Sequence, residues 1–330
     1  MTRSLSGRHA VLYLPASRPS AIVRARASSA DMVILDLEDA VRDEDKDAAR
    51  QAAVAALAVE WPMRVGLRVN APGTAWHDAD VAALAASRAD FAVVPMVADP
   101  ASVAAIRAHG GKPVLAMIES AAGVLAAPAI AQEAAGLIVG TNDLRLDLGI
   151  PDGPGRASIQ HALQAILLAA RASRIPAYDG VFNRLDDAQG LAAECAESRA
   201  LGFDGKTLIH PDHIAACQSA FAPTEREISR ARRLIAAATT GAQRFEGQMI
   251  EALHVEAARR LLSAPPRGSC REATEGEVTH IVIPAKAGTH LLQSVARYPP
   301  EMGPAFAGMT DEVLPQKPCP TRRSKRNLAP

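Results

Sequence analysis

The chain has 330 residues, 36 Lys and Arg against 36 Asp and Glu, and 48% apolar side chains. That length suffices for one large domain or two small ones, and the balanced charge argues against a nucleic-acid partner. The four cysteines, Cys195, Cys217, Cys270 and Cys319, include no C-x-x-C pair, so neither a disulfide framework nor a zinc site is expected and a reducing cytoplasm fits best.

In chain order, the apolar run at 10–14 reads as the first strand; it follows Arg3 and Arg8 but is too short for a signal peptide. Further strands are expected at 32–37, 64–69, 91–94, 113–118, 135–139, 175–178 and 203–209. Ala-rich segments with charges on one face lie between them, at 45–60, 77–88, 100–108, 156–173 and 186–201. Such alternation favours a parallel sheet wrapped by helices. Eight strands over roughly 250 residues match a (β/α)8 TIM barrel, with a doubly wound open sheet as the rival. Helices at 211–220, 224–239 and 247–262 then form a C-terminal helical extension. No run is long and apolar enough to span a bilayer, so no membrane role is expected.

Composition changes near Pro265-Pro266. Ten of the chain's 23 prolines fall in 265–330, without a sustained helical or strand pattern. The expected organisation is a domain over 1–264 and a disordered tail over 265–330 with no catalytic role.

The chemistry concentrates at strand ends. Glu119 follows the run Val114 to Ile118, and Asp143 follows Leu137 to Gly140. Two strands ending in carboxylates at one end of a parallel sheet suit Mg²⁺, which takes one or two protein carboxylates and leaves positions for water and substrate. Asp143 could instead cap a helix ending near Leu148. Asp36-Leu37-Glu38-Asp39 ends the second strand; Glu38 and Asp39 are assigned to orienting metal-bound water or a basic side chain, against placement at a helix N-terminus. Arg68, ending the third strand, could clamp a carboxylate or an oxyanion, or pair with the Asp36 cluster, or do both. Gly205-Lys206-Thr207 is not a phosphate loop, because position 200 is alanine where that motif needs glycine. His210-Pro211, at the end of the eighth strand, reads as a turn, with a catalytic histidine as the alternative. No dinucleotide-binding glycine fingerprint occurs.

Together the blocks Leu12 to Pro15, Val33 to Val41, Arg68-Val69-Asn70, Ile118-Glu119-Ser120, Gly140 to Leu144 and Gly202 to Pro211 resemble the HpcH/HpaI aldolase/citrate lyase family. The likeness runs from about His9 to Leu262. It implies a modified TIM barrel, Mg²⁺, commonly a homotrimer, and cleavage or formation of carbon–carbon bonds in acyl-coenzyme A thioesters such as citryl-CoA or malyl-CoA. It implies Glu119 and Asp143 as metal ligands, with Arg68 and Glu119 meeting the substrate. Two other activities stay open: a coenzyme A-independent 2-oxo acid aldolase, and a complex-dependent or non-catalytic acyl-binding subunit. Three positions depart from the pattern. His9 stands where arginine is usual, and Met96 where many relatives have lysine. Glu251 stands where an aspartate of coenzyme A lyases reaches a neighbouring subunit's site as acid or base. Glu251 is either that catalytic carboxylate or an ordinary exposed helix residue.

Overall fold

A computed structural model describes residues 5, 7–151, 153, 155–239 and 241–263. Eight parallel strands close into a barrel in sequence order: β1 (Ala10–Pro15), β2 (Met32–Asp36), β3 (Arg64–Arg68), β4 (Phe91–Val94), β5 (Val114–Ile118), β6 (Gly136–Val139), β7 (Ala177–Asp179) and β8 (Gly205–Leu208), with β8 returning to pair with β1. The open-sheet rival is thereby excluded and the TIM barrel borne out. The helices on its outside are α1 (Pro19–Arg26), α2 (Lys46–Leu57), α3 (His77–Ala86), α4 (Pro100–Gly110), α5 (Ala121–Glu133), α6 (Thr141–Asp147), α7 (Gln160–Ala172), α8 (Ala188–Leu201) and α9 (His213–Phe221). No helix among the described residues is long and apolar enough to cross a membrane. The expected tail over 265–330 lies outside the described residues.

Side-chain alternation along each strand divides the core into two layers. Val11, Tyr13, Met32, Ile34, Phe91, Val93, Leu115, Met117, Ile138 and Tyr178 fill the barrel's interior. Leu12, Leu14, Val33, Leu35, Leu67 and Val94 face the helices. Gly66 makes the inner layer possible, because a Cβ there would overlap the Phe91 ring. The same parity carries to the strand ends, so Asp36, Arg68, Glu119 and Gly140 occupy inward positions at the C-terminal mouth.

Two helices escaped the sequence reading. In α5 Ser120 caps the helix by accepting from Gly123 N–H, but Pro128 sits inside it and apolar residues run all around, which masks a helical period. Helix α1 is only eight residues long and its cap, Arg18, makes no side-chain capping bond. At the C-terminus, α10 (Glu225–Ala237) begins with a complete capping box between Thr224 and Glu227. The helix expected over 247–262 starts later. Residues Gln243–Phe245 (β9) and Gln248–Ile250 (β10) form an antiparallel hairpin, and α11 spans Ala252–Ser263. Its two-residue turn, Glu246 (φ 49°) and Gly247 (φ 82°), has the left-handed backbone that tight hairpins favour.

Candidate active site

At the barrel mouth Arg68 is a buried cation. Its Nε and Nη2 donate to the two oxygens of Asp36, both at 2.6 Å. Its Nη1 lies 2.7 Å from Glu38 Oε2 and 3.3 Å from Asp39 Oδ2. The Glu38 contact is electrostatic: the oxygen lies off the N–H directions and accepts no hydrogen bond. The guanidinium covers the Tyr13 ring at 5.0 Å. Asp36 also accepts from Glu38 N–H (2.9 Å) and Ala40 N–H (3.1 Å), so one carboxylate shapes the loop and fixes the arginine. Both readings of Arg68 thus remain compatible: Asp36 takes the fork, and Nη1 faces the partly open rim, where the Asp39 side chain is 67% exposed.

The Glu38 loop is anchored from beneath by residues the sequence reading passed over. Buried Lys46 donates to Leu37 O, Glu38 O and Asn70 Oδ1 at 2.7–2.9 Å. Asn70 in turn donates from Nδ2 to Asp80 Oδ2 at 2.6 Å. The alternative that Glu38 and Asp39 occupy a helix N-terminus fails, since α2 begins only at Lys46 and Asp43 to Asp45 form the turn ahead of it. Burial pushes the Glu38 carboxyl up to about 8, with Arg68 pulling it back.

Glu119 follows Ile118 on β5, and Gly140 follows Val139 on β6; the two strands pair Ile118 with Val139, and Gly140 N–H donates to Ile118 O at 3.0 Å. This close register leaves no room for a Cβ at position 140, which would lie 2.5 Å from Glu119 Cβ. Glu119 is buried, and its Oε1 accepts from Met96 N–H at 2.5 Å. Burial pushes its carboxyl up to about 7; the Met96 bond lowers it, and the neighbouring charge of Asp143 raises it again. Asp143 lies in the first turn of α6, half-buried, with no hydrogen-bond or ion-pair partner among the described residues. It therefore does not cap α6, whose N-cap is Gly140.

Two carboxylates at one mouth, one buried and one unpartnered, with mutual repulsion between them, fit a divalent cation bound by oxygen. Among the described residues no group of three or more His, Cys, Asp or Glu could hold a metal. That donor set suits Mg²⁺, which keeps positions for water and substrate, and does not suit a structural zinc. Between α6 and the loop after β7 a cavity of about 570 Å³ opens, lined by Asn142, Arg145, Phe182, Asn183 and Arg184 among others but not by Asp143, Glu119 or Arg68.

Other candidates fall elsewhere. Glu251 precedes α11 with its side chain exposed and its own N–H donated to His254 Nδ1; its carboxylate meets neither Glu119, Asp143 nor Arg68. His9 is at the N-terminal end of β1, where Nδ1 pairs with Asp204 O at 2.7 Å, so its departure from arginine does not touch the mouth. Lys206 is fully buried and pairs with Asp179 (2.8 Å) and Glu194 (2.6 Å) between strand and helix. It is thus an internal tie, in keeping with the rejected phosphate loop. His210-Pro211 is a turn, closed by His213 N–H on His210 O.

A chain with this mouth has recognisable relatives. It is 39% identical over 264 residues to a (3S)-malyl-CoA thioesterase of Cereibacter sphaeroides, covering 77% of this chain and 93% of that protein. It is 36% identical over 249 residues to a citrate lyase subunit beta-like protein of Mycobacterium tuberculosis, covering 73% and 89%. Among solved structures it superposes on protein CitE from M. tuberculosis in complex with magnesium, acetoacetate and coenzyme A, with a TM-score of 0.71, 34% identity, and coverage of 79% of this chain and 98% of that one. A citrate lyase beta subunit from the same organism, complexed with oxaloacetate and magnesium, matches with a TM-score of 0.60 and 35% identity, covering 66% and 98%. The HpcH/HpaI aldolase/citrate lyase profile matches residues 9–211, from the foot of β1 to the turn after β8. The likeness thus spans the whole barrel as well as its mouth, and the chain belongs to the HpcH/HpaI aldolase/citrate lyase family.

Proposed function

We propose that this chain is a Mg²⁺-dependent carbon–carbon lyase acting on a 3-hydroxyacyl-coenzyme A thioester with a carboxylate beside the hydroxyl. The observation that carries the reading is the pairing of buried Glu119 with unpartnered Asp143 at the barrel mouth, facing the Arg68 cation. Relatives named for malyl-CoA and citrate chemistry, and neighbours holding magnesium with 2-oxo and 3-oxo acids, support the substrate class.

Glu119 and Asp143 would hold the ion, and bound Mg²⁺ supplies Lewis acidity toward a hydroxyl and a carboxylate of the substrate. Met96 N–H fixes Glu119 Oε1, so the carboxylate approaches the mouth in one orientation. Arg68 is held charged, because the Asp36 carboxylate in its fork outweighs its burial; its Nη1 would balance negative charge on the thioester oxygen. Transfer of the hydroxyl proton to a water of the open mouth breaks the C2–C3 bond. C3 becomes the carbonyl of a 2-oxo acid, and C2 leaves as the acetyl-coenzyme A enolate, which takes a proton. We assign that proton to Glu251 of a neighbouring copy in a homo-oligomer, since the Glu251 carboxylate is exposed and unpartnered among the described residues.

The 39% identity to a thioesterase favours a second reading, hydrolysis of the same thioester. One experiment separates them. Purified protein is given (3S)-malyl-CoA and citryl-CoA, with Mg²⁺ or with EDTA. Lyase action gives acetyl-coenzyme A with glyoxylate or oxaloacetate; hydrolysis gives free coenzyme A with malate or citrate. Glu119→Gln should abolish either reaction without unfolding the chain, and turnover that persists in EDTA would refute the metal reading.

A further inference from the structure

We propose that Asp147 is a positioning residue that sets the separation of the two metal-binding carboxylates; this rests on the Glu119/Asp143 reading above. Asp147 Oδ2 accepts the backbone N–H of Ala121 at 2.7 Å. Ala121 is the first residue of α5 and lies two residues beyond Glu119. Asp147 is the last residue of α6 and lies four residues beyond Asp143, on the same helical face. A single hydrogen bond therefore joins the segment that carries one carboxylate to the helix that carries the other.

Local chemistry gives Asp147 no other reason for its place. An acid in the last turn of its own helix opposes that helix's dipole. The N-terminus of α5 compensates, because Ala121 N–H is among the amides that a helix cannot satisfy internally, and Ser120 serves only Gly123. Helix α6 is short, seven residues; Arg145 Nη2 donates to Gly155 O at 3.0 Å, and three further contacts hold it. Its start is pressed on Glu119 through Gly140. Its end is tied to Ala121 through Asp147. Its far side is tied to the loop after β7, where Asn183 Nδ2 donates to Asn142 Oδ1 at 2.7 Å. Of these, only the Asp147 bond acts directly between the two ligand-bearing segments without touching the site.

The test uses the full chain with Asp147→Ala, Asp147→Asn and, as a stability control remote from the mouth, Thr224→Ala. Mg²⁺ affinity is measured by calorimetry and the exchange rate of the Ala121 amide by NMR. Asp147→Ala should weaken Mg²⁺ binding about tenfold, the range of losses when a residue supporting a metal ligand is removed. It should also speed Ala121 exchange. Asp147→Asn keeps an acceptor oxygen and should stay within threefold of wild type, and Thr224→Ala should leave the affinity unchanged. Wild-type affinity in Asp147→Ala overturns the proposal. So does an equal loss in Asp147→Asn, which would make the charge rather than the bond responsible, or in Thr224→Ala, which would make the effect general instability. A wild-type chain that binds no Mg²⁺ overturns the metal reading itself and the proposal with it, whatever the Ala121 amide does.

Discussion

Met96 and Glu119 are joined by a short hydrogen bond that requires an uncommon backbone: Met96 holds φ at 54° and donates its N–H to Glu119 Oε1 at 2.5 Å. Left-handed backbone in a non-glycine residue costs on the order of 1 kcal/mol and persists where the surroundings over-determine it, often at functional sites. The side chain at 96 is half-exposed, so the donor amide, and not the thioether, is what this position contributes to the mouth.

Met96→Gly should therefore change stability by less than about 1 kcal/mol, since relief of strain offsets added chain entropy. Met96→Pro removes the N–H and cannot adopt the conformation, and should cost more than about 2 kcal/mol. Urea unfolding of both variants checks this; equal losses would show that the backbone at 96 is not what matters.

Gly140→Ala places a methyl against Glu119, where backbone pairing of β5 and β6 leaves no slack. The substitution should weaken Mg²⁺ binding at least tenfold, with the barrel still folded by circular dichroism. Calorimetry showing unchanged affinity would mean that Glu119 can move aside freely.

Protons and Mg²⁺ should compete for Glu119. Its carboxyl titrates near 7, raised by burial, so about a tenth is ionised at pH 6 and about nine tenths at pH 8. Apparent Mg²⁺ affinity should rise about tenfold across that interval. Calorimetry in matched buffers would register it, and a flat profile would contradict the assignment.

Glu38 gives a stability signature in metal-free protein. Its carboxyl ionises near 4.5 when unfolded and near 8 when folded, because burial disfavours the charge. Between those values the folded chain binds the extra proton, so stability falls as pH rises from 5 to 8. Glu38→Gln removes the titrating group and should flatten that fall, by at most about 4 kcal/mol. Thermal unfolding in EDTA at pH 5, 6.5 and 8 tests it; parallel curves for variant and wild type would exclude the effect.

The barrel was legible because each strand is a short apolar run ending in turn chemistry, and because Ala-rich helices separate the runs. Helix α5 was not, since Pro128 and an all-apolar circumference erase the helical period. The hairpin before α11 was not either: its strands are three residues each, and the Glu246-Gly247 turn is a weak signal inside a polar stretch. At the mouth, Arg68 and the two ligand-type carboxylates could be found from strand ends. The supports could not. Met96 acts through a backbone N–H, Asp147 through a contact across 26 residues, and Lys46 through carbonyls of a loop, none of which side-chain identity announces.

The central claim is that Glu119 and Asp143 share one divalent ion. The most direct measurement is a crystal structure of the full chain grown with Mn²⁺ in place of Mg²⁺, with the ion located by its anomalous scattering. The account predicts one strong peak within about 2.2 Å of a carboxylate oxygen from each residue, close to the distances of an octahedral oxygen site. A peak touching only one of them, or an ion bound elsewhere with both carboxylates free, would contradict it.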